Sequence, residues 1–69
     1  MHAETVLLGL RLVEGVSMSR LEAAGVPLDK RRIAGLREAG LIAEIPHTLA
    51  VTQAGRLLLD RITDAVLAD

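Results

Sequence analysis

The sequence contains no cysteine, which excludes disulfide bonds and thiolate-ligated metal sites. It also contains no phenylalanine, tryptophan or tyrosine, although 51% of its 69 residues are hydrophobic. Leucine, isoleucine, valine and alanine must therefore fill the core without any aromatic ring. A domain of this size buries only about 60% of the surface that its unfolded chain exposes. We expect one small domain over residues 1–69, stabilised by closely packed aliphatic side chains.

An excess of positive charge is missing as well. Eight Lys and Arg residues stand against nine Asp and Glu residues, for a formal net charge of −1. Domains that bind phosphate backbones are usually much more basic, because counterion release supplies most of their affinity. No apolar run approaches the ~18 to 20 residues that span a bilayer, and no signal-peptide cleavage site follows residues 2 to 13. We therefore expect a cytoplasmic protein with no membrane contact.

Residues that could carry out catalysis are equally scarce. The two histidines, His2 and His47, have no second ligand at metal-binding spacing. Asp60 and Asp64 lie four residues apart, but beside arginines on the predicted solvent side of a helix. No glycine-rich phosphate loop or activated-serine pattern is present. We predict that the chain has no catalytic, cofactor-binding or metal-binding residue and is not an enzyme by itself.

The pattern of apolar residues and helix signals predicts four helices. Ser17 and Ser19 are alternative N-caps of the second helix, which ends at Gly25, and Val16 precedes it as a very short strand or extended link. Gly40 is the predicted stop of the third helix. In chain order the predicted helices cover residues 3–13, 17 or 19 to 24, 28–39 and 52–67.

Two short apolar runs, Leu41 to Ile45 and Leu49 to Val51, separate the third and fourth helices. Pro46-His47-Thr48 joins them, which predicts a hairpin with an irregular tip. Thr52 is the predicted N-cap of the fourth helix, and Gly55 on its inner face suggests that the helix starts close to the hairpin. The order helix, helix, helix, hairpin, helix predicts a mainly α, winged-helix-like domain with a small β-hairpin.

Helical spacing also predicts which side chains are buried. The buried set is Ala3, Val6, Leu10 and Val13 in the first helix, Leu28, Ile33, Leu36 and Ala39 in the third, and Gly55, Leu58, Leu59, Ile62 and Val66 in the fourth. On the fourth helix, the residues predicted to face solvent are Arg56, Asp60, Thr63 and Asp64.

One hypothesis for function is nucleic-acid recognition by the third helix, which would enter a DNA groove in a helix-turn-helix. Its candidate contacts are Lys30, Arg31 and Arg37. The chain has no asparagine, and its single glutamine, Gln53, lies outside this helix, so amide readout of adenine is excluded there. The hairpin tip carries no Lys or Arg. Charge and composition therefore argue against a nucleic-acid partner.

The other hypothesis is a domain that docks on a larger protein. Leu8 and Leu12 point away from the main apolar stripe of the first helix, and Ala34 and Gly35 give the third helix a small outer face. These four residues form the candidate docking surface. The first helix is also a candidate surface for self-association. The alternative explanation is that a small domain buries most of this helix itself.

Several segments of the chain are similar to one known family. They are Leu8–Leu12, Glu14–Ser17, Gly40–Ile42 and Leu49–Asp60. In this order and spacing, over about residues 4 to 68, the chain resembles the C-terminal domain of oxygen-independent coproporphyrinogen III oxidase-like proteins. These are radical S-adenosylmethionine (SAM) proteins. The tip Pro46-His47-Thr48 departs from the glycine-rich turn expected there.

The resemblance implies a function that the residues alone do not show. Proteins of this family have a partial barrel that holds an iron–sulfur cluster on three cysteines and uses SAM. Members decarboxylate coproporphyrinogen III or handle haem as chaperones, and Leu57–Asp60 resembles the haem-chaperone-like branch. Without cysteine, this chain cannot hold the cluster. The implied role is a non-catalytic accessory domain that docks on the catalytic barrel and helps enclose substrate, with both cofactors bound elsewhere.

Overall fold

The computed structural model describes residues 2–68, and its element order agrees with the predicted mainly α architecture. The predicted succession of three helices, a hairpin and a last helix is confirmed. The elements are α1 (His2–Leu10), β1 (Val16–Ser17), α2 (Met18–Ala23), α3 (Lys30–Glu38), β2 (Thr48–Leu49), a 3₁₀ helix (Gly55–Leu58) and α4 (Leu59–Val66).

The buried hydrophobic cluster consists of aliphatic side chains only, as the absence of aromatic residues requires. α1 and α3 both pack against α4, and the hairpin closes the remaining side. Because no ring is present, many small branched side chains share the interior. The buried cluster consists of Val6, Leu10, Leu21, Val26, Ile33, Ile42, Leu49, Val51, Ile62 and Val66.

The second arm of the hairpin pairs on both of its sides. β2 pairs antiparallel with β1, with Val16 opposite Leu49. Two residues later, Val51 bridges Ile42 on the first arm. The predicted first strand, Leu41 to Ile45, is therefore paired only near its start. The short link at Val16 forms the longer ladder, which fits the prediction of a brief strand there.

Side-chain caps set the helix starts. The Ser17 hydroxyl accepts a hydrogen bond from Arg20 N at 3.4 Å, so Ser17 and not Ser19 begins α2. The Asp29 carboxylate accepts from Arg32 N at 3.0 Å and caps α3. The predicted start of this helix at Leu28 is wrong, because Leu28 is extended and bridges Leu67 beside α4.

The last helix is broken near its start, where the sequence predicts one continuous helix. Thr52 makes the side-chain hydrogen bond expected of a cap, although the 3₁₀ helix begins after Ala54: the Thr52 hydroxyl accepts from Gly55 N at 3.1 Å and donates to the Gly40 carbonyl at 2.6 Å. A 3₁₀ helix follows. Its last residue, Leu58, has φ −125° and ψ 29°, and this non-helical backbone interrupts the chain before α4 begins. Because a 3₁₀ helix has three residues per turn, the phase changes and Leu58 turns outward, 37% exposed. Its predicted burial is wrong.

Three other burial predictions are wrong for local reasons. α1 ends at Leu10 and continues as turns, so Val13 leaves the apolar stripe and is 83% exposed. Ala39 lies beyond the end of α3 and is exposed. Thr63, predicted to face solvent, is only 3% exposed. Its hydroxyl donates to the Leu59 carbonyl at 2.7 Å, which satisfies the buried polar group.

The close approach predicted at Gly55 is present and gives a test of the fold. A Cβ at this position would collide with the Leu41 carbonyl oxygen and lie 3.2 Å from Ile62 Cδ1. We expect Gly55→Ala to lower the free energy of unfolding by about 1–3 kcal/mol, because the helix start must shift.

Gly35→Ala is the matched control, since no atom lies within 4 Å of the added Cβ in the middle of α3. It should raise the free energy of unfolding by about 0.5–1 kcal/mol through lower backbone entropy of the unfolded chain. Urea unfolding followed by circular dichroism measures both variants. Equal effects at the two glycines would contradict the close contact.

Candidate docking surfaces

The end of α1 presents aliphatic side chains to solvent. Leu8 is 64% exposed and Leu12 is 50% exposed, next to the exposed Val13. The opposite side of α1 is fully used, since Val6 and Leu10 are completely buried. The domain therefore does not bury this helix on all sides, and the alternative explanation of Leu8 and Leu12 as core residues is wrong.

The outer face of α3 is small and open. Ala34 and Gly35 are exposed, and a Cβ added at Gly35 would have no neighbouring atom within 4 Å. Such a face lets another backbone approach closely, because no side chain holds it at a distance. The structure thus places the four predicted docking residues on the surface, two on α1 and its C-terminal turn and two on α3.

The basic residues of α3 are largely engaged within the domain. Lys30 Nζ lies 3.5 Å from Glu22 Oε2. Arg32 Nε lies 3.5 Å from Asp29 Oδ2. Among the predicted nucleic-acid contacts, only Arg31 makes no ion pair or side-chain hydrogen bond within residues 2–68. Both ion pairs are exposed and contribute little stability, but they reduce the positive charge that this face offers.

Arg37 connects α3 to the hairpin tip. Its Nη2 donates to the Thr48 carbonyl at 3.1 Å and to the Ile45 carbonyl at 3.3 Å. The same atom lies 3.9 Å from Met18 Sδ at the start of α2. The guanidinium is therefore directed into the domain and not toward an external phosphate. Sequence reasoning missed this role, because the acceptors are backbone carbonyls that no residue pattern marks.

The backbone conformation of the hairpin tip allows the contact of Arg37 with its carbonyls. His47 has φ 60°, a left-handed conformation that is uncommon for residues other than glycine. The Thr48 hydroxyl donates to the Pro46 carbonyl at 3.2 Å and closes the tip locally. The His47 carbonyl accepts from Met18 N at 2.9 Å, so the tip is also tied to the start of α2.

The chain offers no donor set for an iron–sulfur cluster. It has no cysteine, and residues 2–68 contain no group of three His, Asp or Glu side chains placed to hold a metal ion. The cluster implied by the resemblance does not fit these residues. Within the same residues, every helix is too short or too polar to cross a lipid bilayer.

Comparison with known proteins supports the resemblance found in the sequence. A family model described as the HemN C-terminal domain matches residues 2–58. The matched range includes both candidate docking faces and ends at the last residue of the 3₁₀ helix. Comparison with curated proteins and with solved structures gave no significant match.

The contacts of Arg37 predict a structural role for this side chain. We expect Arg37→Ala to lower the free energy of unfolding by about 1–3 kcal/mol, because two carbonyls at the tip lose their charged donor. Arg31→Ala removes an equally charged but unengaged side chain and should change stability by less than about 0.5 kcal/mol. Chemical denaturation compares the two variants. If both were equally stable, Arg37 would not hold the tip.

Proposed function

Because the chain belongs to the family of HemN C-terminal domains, we propose that it is the accessory domain of a coproporphyrinogen III oxidase-like radical SAM protein. In this role it docks on the catalytic barrel and helps enclose the substrate, in porphyrin or haem metabolism in the cytoplasm. The domain contributes a surface and not a reacting group. Between the two branches of the family, the resemblance of Leu57–Asp60 favours the haem-chaperone-like one.

The observation that supports docking is the exposure of Leu8 and Leu12 on a helix whose other side is fully packed. Burying a leucine side chain is worth about 1.5–3 kcal/mol. A 69-residue domain with little core to spare gains nothing for its own stability from leucines in solvent. Contact with a partner recovers that free energy, and a family of C-terminal domains has its natural partner in the catalytic domain.

In this arrangement the partner binds both cofactors. The barrel would bind the iron–sulfur cluster and SAM, since this chain has no thiolate to ligate iron. The small face at Ala34 and Gly35 is the second candidate contact, because it allows close approach of another backbone. When the barrel binds both cofactors, no titratable residue of the domain has to react.

Nucleic-acid binding is not favoured by any contact in the structure. Arg37 is directed into the domain and Lys30 is paired with Glu22. Arg31 alone is too little charge for counterion release to drive binding. The remaining support for this alternative is the arrangement of helices, which many proteins share irrespective of function.

The docking proposal predicts the effect of placing charge on α1. Leu8→Glu combined with Leu12→Glu should leave the far-ultraviolet circular dichroism and thermal unfolding of the domain unchanged, because both positions are exposed. The same variant should bind a catalytic barrel fragment of the family at least about tenfold more weakly, since one desolvated carboxylate already costs more than about 1.4 kcal/mol. Isothermal titration calorimetry measures the affinity.

Gln53→Glu combined with Ala54→Glu is the control, because it adds the same charge at two other exposed positions. Ala34→Glu tests the α3 face separately. Absence of binding by the unmodified domain would reject the proposed function. Binding that survives both the α1 and the α3 substitutions would reject these surfaces while leaving docking itself intact.

A further inference from the structure

A groove runs between α1 and the last part of the chain, on a side of α1 different from Leu8 and Leu12. Two adjoining hollows of about 370 and 280 Å³ form it, and Leu7 and Asp60 line both. The two walls run in opposite directions. Ala3 and Glu4 face Thr63 and Asp64 at one end, whereas Arg11 faces residues 56–58 at the other.

Charge is segregated along this groove. Arg11, Arg56 and Arg61 line one hollow, and Glu4 and Asp64 line the other. With Asp60, which borders both hollows, the groove holds three positive and three negative side chains. None of these six makes an ion pair in the described part of the chain, although two ion pairs form elsewhere on it. The charges are therefore available to an external partner.

The basic hollow also carries the most exposed leucine at the surface. Leu57 is 87% exposed and Leu58 is 37% exposed. Both belong to the 3₁₀ helix, whose altered phase turns Leu58 away from the core next to Leu57. Leu7 lies half-buried between them and the acidic hollow. The groove thus combines apolar contact area with charges of both signs, as the interfaces of protein assemblies do.

This distribution of charge is complementary to itself. Glu4 on α1 and Arg11, one residue beyond the end of α1, are seven residues apart, which corresponds to about 10 Å at the helical rise. A two-fold axis through the groove near Leu7 places the basic hollow of one copy against the acidic hollow of the other, and the reverse. A formal net charge of −1 adds almost no repulsion between two copies.

We propose that this groove is a symmetric interface between two copies of the chain. In the dimer, Leu57 of each copy is covered by the α1 side of the other. The charged side chains of each groove pair with those of opposite sign in the other copy. The partner is a second copy, because a partner with charges of only one sign would be attracted to one hollow and repelled by the other. Neither Leu8 nor Leu12 lines the groove, so the proposal does not depend on docking to a barrel.

A charge-swap experiment tests the interface. Arg56→Glu with Arg61→Glu makes both ends of the groove acidic, and Glu4→Lys with Asp64→Lys makes both ends basic. We expect the unmodified chain, of 7.4 kDa, to sediment as a concentration-dependent dimer. Each double variant alone should sediment as a monomer, because like charges face each other across the axis. An equimolar mixture of the two should form a heterodimer.

Two further variants separate the groove from general charge effects. Arg20→Glu with Arg31→Glu changes the net charge by the same amount as the acidic variant but at exposed positions outside the groove, and it should remain a dimer. Leu57→Ser should weaken dimerisation by about tenfold or more, since it removes one apolar contact per copy. Circular dichroism checks that every variant is folded.

Three results would overturn the proposal. The first is an unmodified chain that stays monomeric at all concentrations. The second is a dimer that tolerates both double substitutions, since another surface would then form it. The third is a mixture of the charge-swapped variants that does not form a heterodimer although each is folded. If the groove variants instead lost binding to a barrel fragment while the unmodified chain stayed monomeric, the groove would belong to the barrel contact.

Discussion

The approach of Gly55 to the Leu41 carbonyl oxygen fixes how the start of the last helix packs against the segment that follows α3. Leu41 directly follows the stop of α3, so this contact positions the exit of α3, the first arm of the hairpin and the start of the last helix together. The Thr52 hydroxyl joins the same three parts, because it accepts from Gly55 N and donates to the Gly40 carbonyl. Without aromatic rings or disulfides, the domain depends on backbone segments that lie this close.

This internal constraint also shapes the outer surface. A helix that starts against a carbonyl oxygen begins here with 3₁₀ geometry, and the change of phase places Leu58 in solvent beside the exposed Leu57. One leucine that was predicted to be buried, Leu58, thereby leaves the core, while Leu59 resumes the inward face. The exposure of Leu58 beside α4 is thus a consequence of how the core is closed. A partner that covers it recovers hydrophobic free energy that the fold itself gives up.

Local patterns predicted the order of elements, the aliphatic core and the Thr52 cap, because each depends on residues a few positions apart. Some of the errors have tertiary causes and others have local ones. Leu28 fits the apolar stripe of α3, but its backbone pairs with Leu67 at the far end of the chain. The sequence pattern places Thr63 on the solvent face of the helix. The Leu59 carbonyl, one turn earlier, accepts a hydrogen bond from its hydroxyl, so Thr63 can be buried in the core. A pairing between Leu28 and Leu67 has no signal within one window of sequence.

The same distinction between predictable and unpredictable features applies to the candidate docking surfaces. Exposure of Leu8 and Leu12 was predictable, because a helical wheel orients both away from a well-defined stripe. The role of Arg37 was not, since its acceptors are carbonyls at a tip shaped by the left-handed backbone of His47. An arginine on the third helix of such a domain can bind a phosphate or hold the hairpin in place. Here its Nη2 donates to carbonyls of the hairpin, and the surface left for recognition is apolar on α1 and charge-segregated beside α4. That combination suits protein partners, whose surfaces offer both apolar area and paired charge, better than a uniformly negative nucleic-acid backbone.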